Sequence, residues 1–254
     1  MSEPDTPASL PSGQGDLRNV VLAALGQEIC DGRIPVGRTF TTESVESRFQ
    51  ISRSVVREAL RGLQALGLVT PKRRVGVRVL PMSEWNAYDL HVIRWRLAGP
   101  GRVAQLRSLT ELRGAIEPVA ARLAAGRAPL NGAGDLVGIA GRLWAAGREG
   151  DAPEFLRLDV QFHRLILEMS GNEMFAQLHH LVEEVMRARS THGLMPDFPA
   201  PQALQWHVDI ATAIQTGDGE RAAASMVAIT ERSLTEMSSI WHPGTPGAEL
   251  TATP

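Results

Sequence analysis

Asp159 and His163 stand four residues apart in Leu158-Asp-Val-Gln-Phe-His163. On a helix that spacing stacks both side chains on one face. From Glu154 to Met169, the polar residues Arg157, Gln161, Arg164 and Glu168 share one narrow wet face. Phe155, Leu158, Phe162, Leu165 and Met169 cover one flank, and Leu156, Val160 and Leu167 the other. Asp159 and His163 lie opposite the wet face and are predicted to point inward. A buried carboxylate is costly unless it is paired or holds a metal. His207 sits at the centre of an arc of Ala203, Trp206, Ile210, Ala211 and Ile214 on a second predicted helix, so another imidazole is expected inside. A lone inward histidine is usually a satisfied core residue. Two histidines with an aspartate instead suit a divalent, zinc-like ion inside a helical bundle.

A different chemistry is concentrated near residue 50. Ser52, Arg53, Ser54 and Arg57 crowd the first turns of a predicted helix, with Ser52 as its expected N-cap. Hydroxyl and guanidinium groups at a helix N-terminus suit phosphates and base edges. Val56, Leu60, Leu63 and Leu66 follow at helical spacing and can bury the opposite face, and Gly67 stops the helix. Thr42 is predicted to cap the short helix before it, and joins the set expected to meet DNA. Beyond Gly67, Leu68 to Thr70 and Val75 to Leu80 read as two strands around a basic tip, Pro71-Lys72-Arg73-Arg74. Arg73 and Arg74 are placed to touch the DNA backbone. Arg61 is expected to pair with Glu58 instead.

These residues need two different frames. The chain has 254 residues and a net charge of −2, which alone argues against nucleic acid. The charge is unevenly spread. Leu17 to Leu80 carries eleven basic and five acidic side chains, a net of +6, whereas the remainder has 15 basic and 23 acidic, a net of −8. Such a split suggests a nucleic-acid domain joined to one with another task. Ala- and Leu-rich segments at helical spacing dominate. The expected fold is mostly α: an N-terminal winged helix-turn-helix and a C-terminal all-helical antiparallel bundle. Expected boundaries are a disordered 1–15, the winged domain 16–80, a linker helix 81–101, the bundle 102–241 and a disordered tail 242–254. The single cysteine, Cys30, rules out an intrachain disulfide and fits a reducing cytoplasm. No apolar run is long enough to span a membrane, and no secretory signal is visible.

Gly32-Arg-Ile-Pro-Val-Gly37, Ile51-Ser-Arg-Ser-Val-Val-Arg-Glu-Ala-Leu-Arg61 and Leu66-Gly-Leu-Val69 resemble the GntR family of bacterial transcription regulators. The resemblance covers the whole N-terminal part and implies DNA contacts from Ser52, Arg53, Ser54 and Arg57. The family's wing commonly carries two glycines; Arg74 takes the first position and Gly76 keeps the second. From about Leu106 to Trp241 the chain resembles the FCD-type helical effector domain of the FadR branch, through Asp159-x-x-x-His163, Gly171-Asn172 and His207 to Asp218. Metal-binding members supply a fourth ligand 22 residues beyond His207, where this chain has Ile229. The resemblance also implies that Arg113, in Leu112-Arg-Gly-Ala-Ile-Glu-Pro118, can face the cavity and bind a carboxylate bidentately. Spacing alone allows a surface ion pair of Arg113 with Glu117, beside an apolar stripe of Leu109, Leu112, Ile116, Val119 and Leu123. The segment Glu84 to Arg96, with Trp85, Asn86, Asp89, Val92 and Trp95, looks like one found in regulators of sugar-acid catabolism.

Together these readings predict a cytoplasmic, homodimeric regulator that binds double-stranded operator DNA and a small carboxylate effector, with an aldonate preferred. Repression relieved by the ligand is the expected sign. Asp159, His163, His207 and Arg113 form the expected effector site, the first three also holding the metal. Two rivals stand: a metal-dependent hydrolase using the same three residues, and an architectural DNA-binding protein without an effector. No nucleophile or general-base motif supports the hydrolase.

Overall fold

The computed structural model describes residues 14–237. The terminal segments expected to be disordered lie outside it, except that Gln14 and Gly15 already belong to the first helix. The chain divides after Arg102 into two compact units. No helix among the described residues is long and apolar enough to cross a membrane.

The first unit opens with α1 (Gln14–Cys30), ended by a left-handed Gly32. A two-residue strand, β1 (Thr39–Phe40), leads into α2 (Thr42–Phe49) and α3 (Arg53–Ala65). The wing follows as β2 (Val69–Lys72) and β3 (Gly76–Val79), with β1 completing the sheet in the order β1-β3-β2. Strand β1 was not expected, because two residues cannot show a period of two. Its pairing, Thr39 with Arg78 and Phe40 with Val77, covers one edge of the wing. The expected Thr42 cap is also corrected. Thr41 caps α2, its hydroxyl accepting from the Ser44 N–H at 3.1 Å while Ser44 Oγ accepts from the Thr41 N–H at 3.2 Å. Thr42 is the first helical residue instead.

Val21, Leu25, Val56, Leu63, Leu68 and Val79 form the core of this unit. The segment 81–101 supplies α4 (Leu90–Ala98), which packs on α1. Trp95 lies flat enough against α1 that a Cβ on Gly26 would collide with its ring, and Gln27 Nε2 donates to the Trp95 carbonyl at 2.9 Å. Trp85 Nε1 donates to the Leu80 carbonyl at 3.0 Å. Both tryptophans are therefore fastened within the first unit.

The second unit is all helical: α5 (Arg102–Arg127), α6 (Leu130–Glu149), α7 (Ala152–Met169), α8 (Glu173–Gln177), α9 (His179–Thr191), α10 (Pro201–Thr216) and α11 (Gly219–Glu236). Helix α6 packs on α7 and α10, α10 on α11, and α7 on α9. Leu136, Leu143, Leu158, Phe162, Leu204 and Ile210 are fully enclosed between them. The apolar stripe expected on α5 needs correction. Val119 is exposed and Leu112, Ile116 and Leu123 are only half-buried. The buried face runs through Leu106, Leu109, Thr110, Arg113, Glu117, Ala120 and Ala124, so Arg113 and Glu117 stand on its centre line.

Candidate metal centre and nucleic-acid interface

Helix α3 buries Val55, Val56, Ala59, Leu60 and Leu63 and turns its polar N-terminus outward. Ser52, Arg53, Ser54 and Arg57 are exposed. Ser52 holds the N-cap position, but its hydroxyl lies 3.0 Å from Ser54 Oγ and makes no capping bond. Arg53 is held by the helix before it, with Nη2 donating to Glu43 Oε1 at 3.0 Å and Nε 3.8 Å from Glu46 Oε1. Arg61 pairs with Glu58 at 2.6 Å, as its spacing suggested.

The tip of the wing is a turn closed by the Val75 N–H donating to the Lys72 carbonyl at 3.0 Å. Arg73 and Arg74 project from it, both exposed, while Pro71 and Lys72 belong to β2 rather than to the tip. Arg74 has φ of +62°, the left-handed region where glycine is usual. Gly76, with φ of +108°, lies so close to the Phe40 carbonyl that no side chain fits.

In the second unit Asp159 and His163 project from α7 and His207 from α10. One ligand atom from each comes within 4.8 Å of the others, and all three side chains are buried. His207 Nδ1 lies 2.7 Å from the Ala203 carbonyl. A carbonyl only accepts, so Nδ1 carries a proton and Nε2 is the ring atom left for another partner. That Nε2 faces Asp159 Oδ1 at 3.1 Å. Either a proton on Nε2 or a metal cation between the two atoms satisfies this contact.

His163 meets two carboxylates, with Nδ1 2.7 Å from Glu117 Oε2 and Nε2 3.4 Å from Asp159 Oδ1. Neither ring nitrogen makes a hydrogen bond of good geometry, although both are buried. Burial would lower the imidazole pKa, but Glu117 and Asp159 raise it. Burial would likewise raise the Asp159 carboxyl, yet the two imidazoles hold it below the usual carboxylate range. The site therefore favours positive charge between its groups. One carboxylate and two imidazoles, with unsatisfied buried nitrogens, fit a divalent ion of the zinc type. Glu117 would orient His163 and the Ala203 carbonyl would orient His207, as outer partners of metal-bound imidazoles do.

Arg113 is 2% exposed. Its Nε donates to Glu117 Oε1 at 2.7 Å and its Nη2 to Glu117 Oε2 at 3.2 Å. Of the two readings open for Arg113, the surface ion pair is not found: the pair with Glu117 is buried. Burial would lift Glu117, but Arg113 and His163 bring its carboxyl down to about 2. Arg113, Asp159, His163 and His207 all line one cavity of about 50 Å³, so all four expected effector residues come together. Ile229 lines it too, from α11.

Arg189, Ser233 and Glu236 also line this cavity and were missed. The signal for Arg189 was present. It extends the stripe Val182, Val185 and Met186 at the next apolar position of α9, where a charge is out of place.

A helix-turn-helix followed by a wing is the architecture of a DNA-binding transcription regulator, and here it carries an all-helical second unit. Residues 17–79 match the bacterial regulatory proteins of the gntR family, and residues 108–232 match the FCD domain. The chain belongs to the gntR family of ligand-responsive DNA-binding regulators, in its FCD-bearing form. It is 30% identical to the galactonate operon transcriptional repressor of Escherichia coli K12 over 85% of this chain and 96% of that one. It is 27% identical to the probable D-xylose utilization operon transcriptional repressor of Paenarthrobacter nicotinovorans over 77% of each. Its fold resembles the Listeria monocytogenes regulator Lar, which controls expression of the agr system, with a TM-score of 0.56 at 15% identity over 88% of this chain and 97% of that one.

Proposed function

We propose that this chain represses an operon for catabolism of a sugar acid or similar small carboxylate, and leaves its operator when that acid binds. The observation that carries this reading is the buried Asp159, His163 and His207 set facing a cavity with Arg113, within the FCD-matched residues. Likeness to the galactonate operon repressor supports an aldonate as the acid. A divalent ion held by Asp159, His163 and His207 would supply positive charge and an open position for an anionic oxygen. With Ile229 lining the cavity, the candidate set among the described residues has three protein ligands rather than four. The protein acts as a homodimer on a two-fold operator, through Ser52, Arg53, Ser54 and Arg57 with Thr42, Arg73 and Arg74 around them. It works in the cytoplasm, where the DNA is.

The cavity is well below the roughly 300 Å³ at which small-molecule pockets begin. Met195, Pro196 and Pro199, on the segment between α9 and α10, form part of its wall. A six-carbon acid enters only if this wall moves. Ligand binding then favours an opened arrangement over the closed one, the differential affinity that a population shift requires.

The test is a thermal-shift screen of sugar acids with and without zinc ion, followed by release from selected DNA. A stabilising acid that also lowers DNA affinity supports the reading. If no small carboxylate changes either quantity, the architectural reading replaces it.

A further inference from the structure

Arg113 is not the cation best placed to receive an anion, because Glu117 already takes its Nε and Nη2. The under-neutralised guanidinium of the cavity is Arg189, on α9. It is 5% exposed. Its Nη1 donates to Ser233 Oγ at 3.0 Å and its Nη2 to Glu236 Oε2 at 2.7 Å. Arg232 Nε draws on the same Glu236 carboxylate at 2.7 Å, so two cations share one anion. Arg189 Nε is buried and has no hydrogen-bond partner among the described residues. Buried donors are rarely left unmade, and an unmade one marks a place for a ligand or water. Burial, and then the nearby Arg113 charge, depress the Arg189 pKa, a cost that an added acceptor would relieve.

Arg189 and Ser233 line the cavity along with Asp159, His163 and His207. We infer that Arg189 Nε and the Ser233 hydroxyl recognise an oxygen of the effector other than the carboxylate held by Asp159, His163 and His207. The effector is then an acid with a further oxygen function besides its carboxylate, such as an aldonate, rather than a simple alkanoate. This inference rests on the proposed effector reading and names the residues that recognise the second oxygen.

The test is calorimetric titration of galactonate and of acetate, which has no oxygen beyond its carboxylate, into the zinc-loaded full chain. Wild type, R189K, R189M and S233A are compared. R189K keeps a cation for Glu236 but loses the Nε donor, and in R189M Arg232 still neutralises Glu236. Loss of a charge-assisted hydrogen bond predicts roughly tenfold weaker galactonate binding in R189K and R189M, with a smaller loss in S233A. Acetate binding should change less than about twofold, since acetate has no second oxygen for Arg189. Galactonate affinity within about twofold of wild type in all three variants overturns the assignment of Arg189 and leaves the effector reading intact. Equal loss for galactonate and acetate also overturns it, because Arg189 would then act on the shared carboxylate. If wild type binds neither acid, the sugar-acid reading fails and this inference fails with it.

Discussion

Arg53, the first residue of α3, donates through Nη2 to Glu43 Oε1 in the first turn of α2 at 3.0 Å. The two helices of the DNA-reading motif are thus joined by an ion pair whose members are 66% and 62% exposed. Such a pair does little for stability in water. Its consequence lies in orientation, because Glu43 restricts where the Arg53 fork can point. R53A should leave the melting temperature unchanged and weaken specific DNA binding by roughly tenfold or more, the worth of one bidentate base contact. E43Q should raise affinity for random duplex, by removing a carboxylate near phosphates, and narrow the gap between specific and random DNA. Binding to duplexes selected from a random library, measured across salt concentrations, checks both. An unchanged ratio in R53A would remove Arg53 from the recognition surface.

Arg74 poses a conflict between backbone and charge at the wing tip. A left-handed backbone costs a residue with a Cβ about 1 kcal/mol relative to glycine. R74G should therefore stabilise the turn by up to roughly that amount, while removing one cation from the DNA side. Urea unfolding reads the first effect. The second is read as a shallower salt dependence of DNA binding, by about one phosphate contact. G76A should act in the opposite sense, since its Cβ meets the Phe40 carbonyl and must part β1 from β3.

Glu117 couples Arg113 to His163, and all three side chains are at most 3% exposed. Removing one member leaves buried charge without its partner, which typically costs about 3–5 kcal/mol. E117Q and R113A should each lower unfolding stability on that scale. The same substitutions on the solvent-facing Arg164 and Glu168 pair should have little effect. Equal small effects at both places would mean that Glu117 is reached by water in solution.

Much of this site was legible because helical periodicity reports direction. Asp159 and His163 fell opposite Arg157, Gln161, Arg164 and Glu168, and their burial follows directly. The leucine spacing of α5 puts Arg113 and Glu117 at the border of its stripe, whereas its alanines put them at the centre. Ala120, Ala121 and Ala124 line the buried face because small side chains allow close helix packing. Arg189 escaped notice because arginine is usually exposed, and its apolar register was overridden by its charge. Thr41 lost out to Thr42 because either threonine can cap, and only the position of Ser44 three residues on decides between them. Strand β1 is a tertiary effect: Thr39 and Phe40 are extended because β3 offers an unpaired edge.

The metal centre predicts a ligand-dependent melting curve. Zinc ion should raise the melting temperature of wild type in proportion to the logarithm of its concentration, and H163A, H207A and D159N should lose most of that dependence. Metal content measured after dialysis checks stoichiometry. H207A also strips the Ala203 carbonyl of its donor, so D159N is the cleaner variant: it keeps the shape and removes the charge. Undiminished metal in D159N would place the ion elsewhere.

Ile229 gives the sharpest test of how the cavity divides its work. It is 8% exposed and lines the cavity that Asp159, His163 and His207 share. An imidazole is close to its side chain in size, so I229H should fold. A fourth nitrogen ligand closes the coordination sphere, as in structural zinc sites, whereas three protein ligands leave a position for a further oxygen. The expected result is at least roughly tenfold tighter zinc binding together with weaker binding of galactonate. DNA binding by I229H should then persist at acid concentrations that release wild type. If zinc affinity rises while galactonate binds and releases DNA as before, the open position at the metal is not where the acid sits. Recognition of the acid would then rest on cavity groups away from the metal, Arg189 and Ser233 among them.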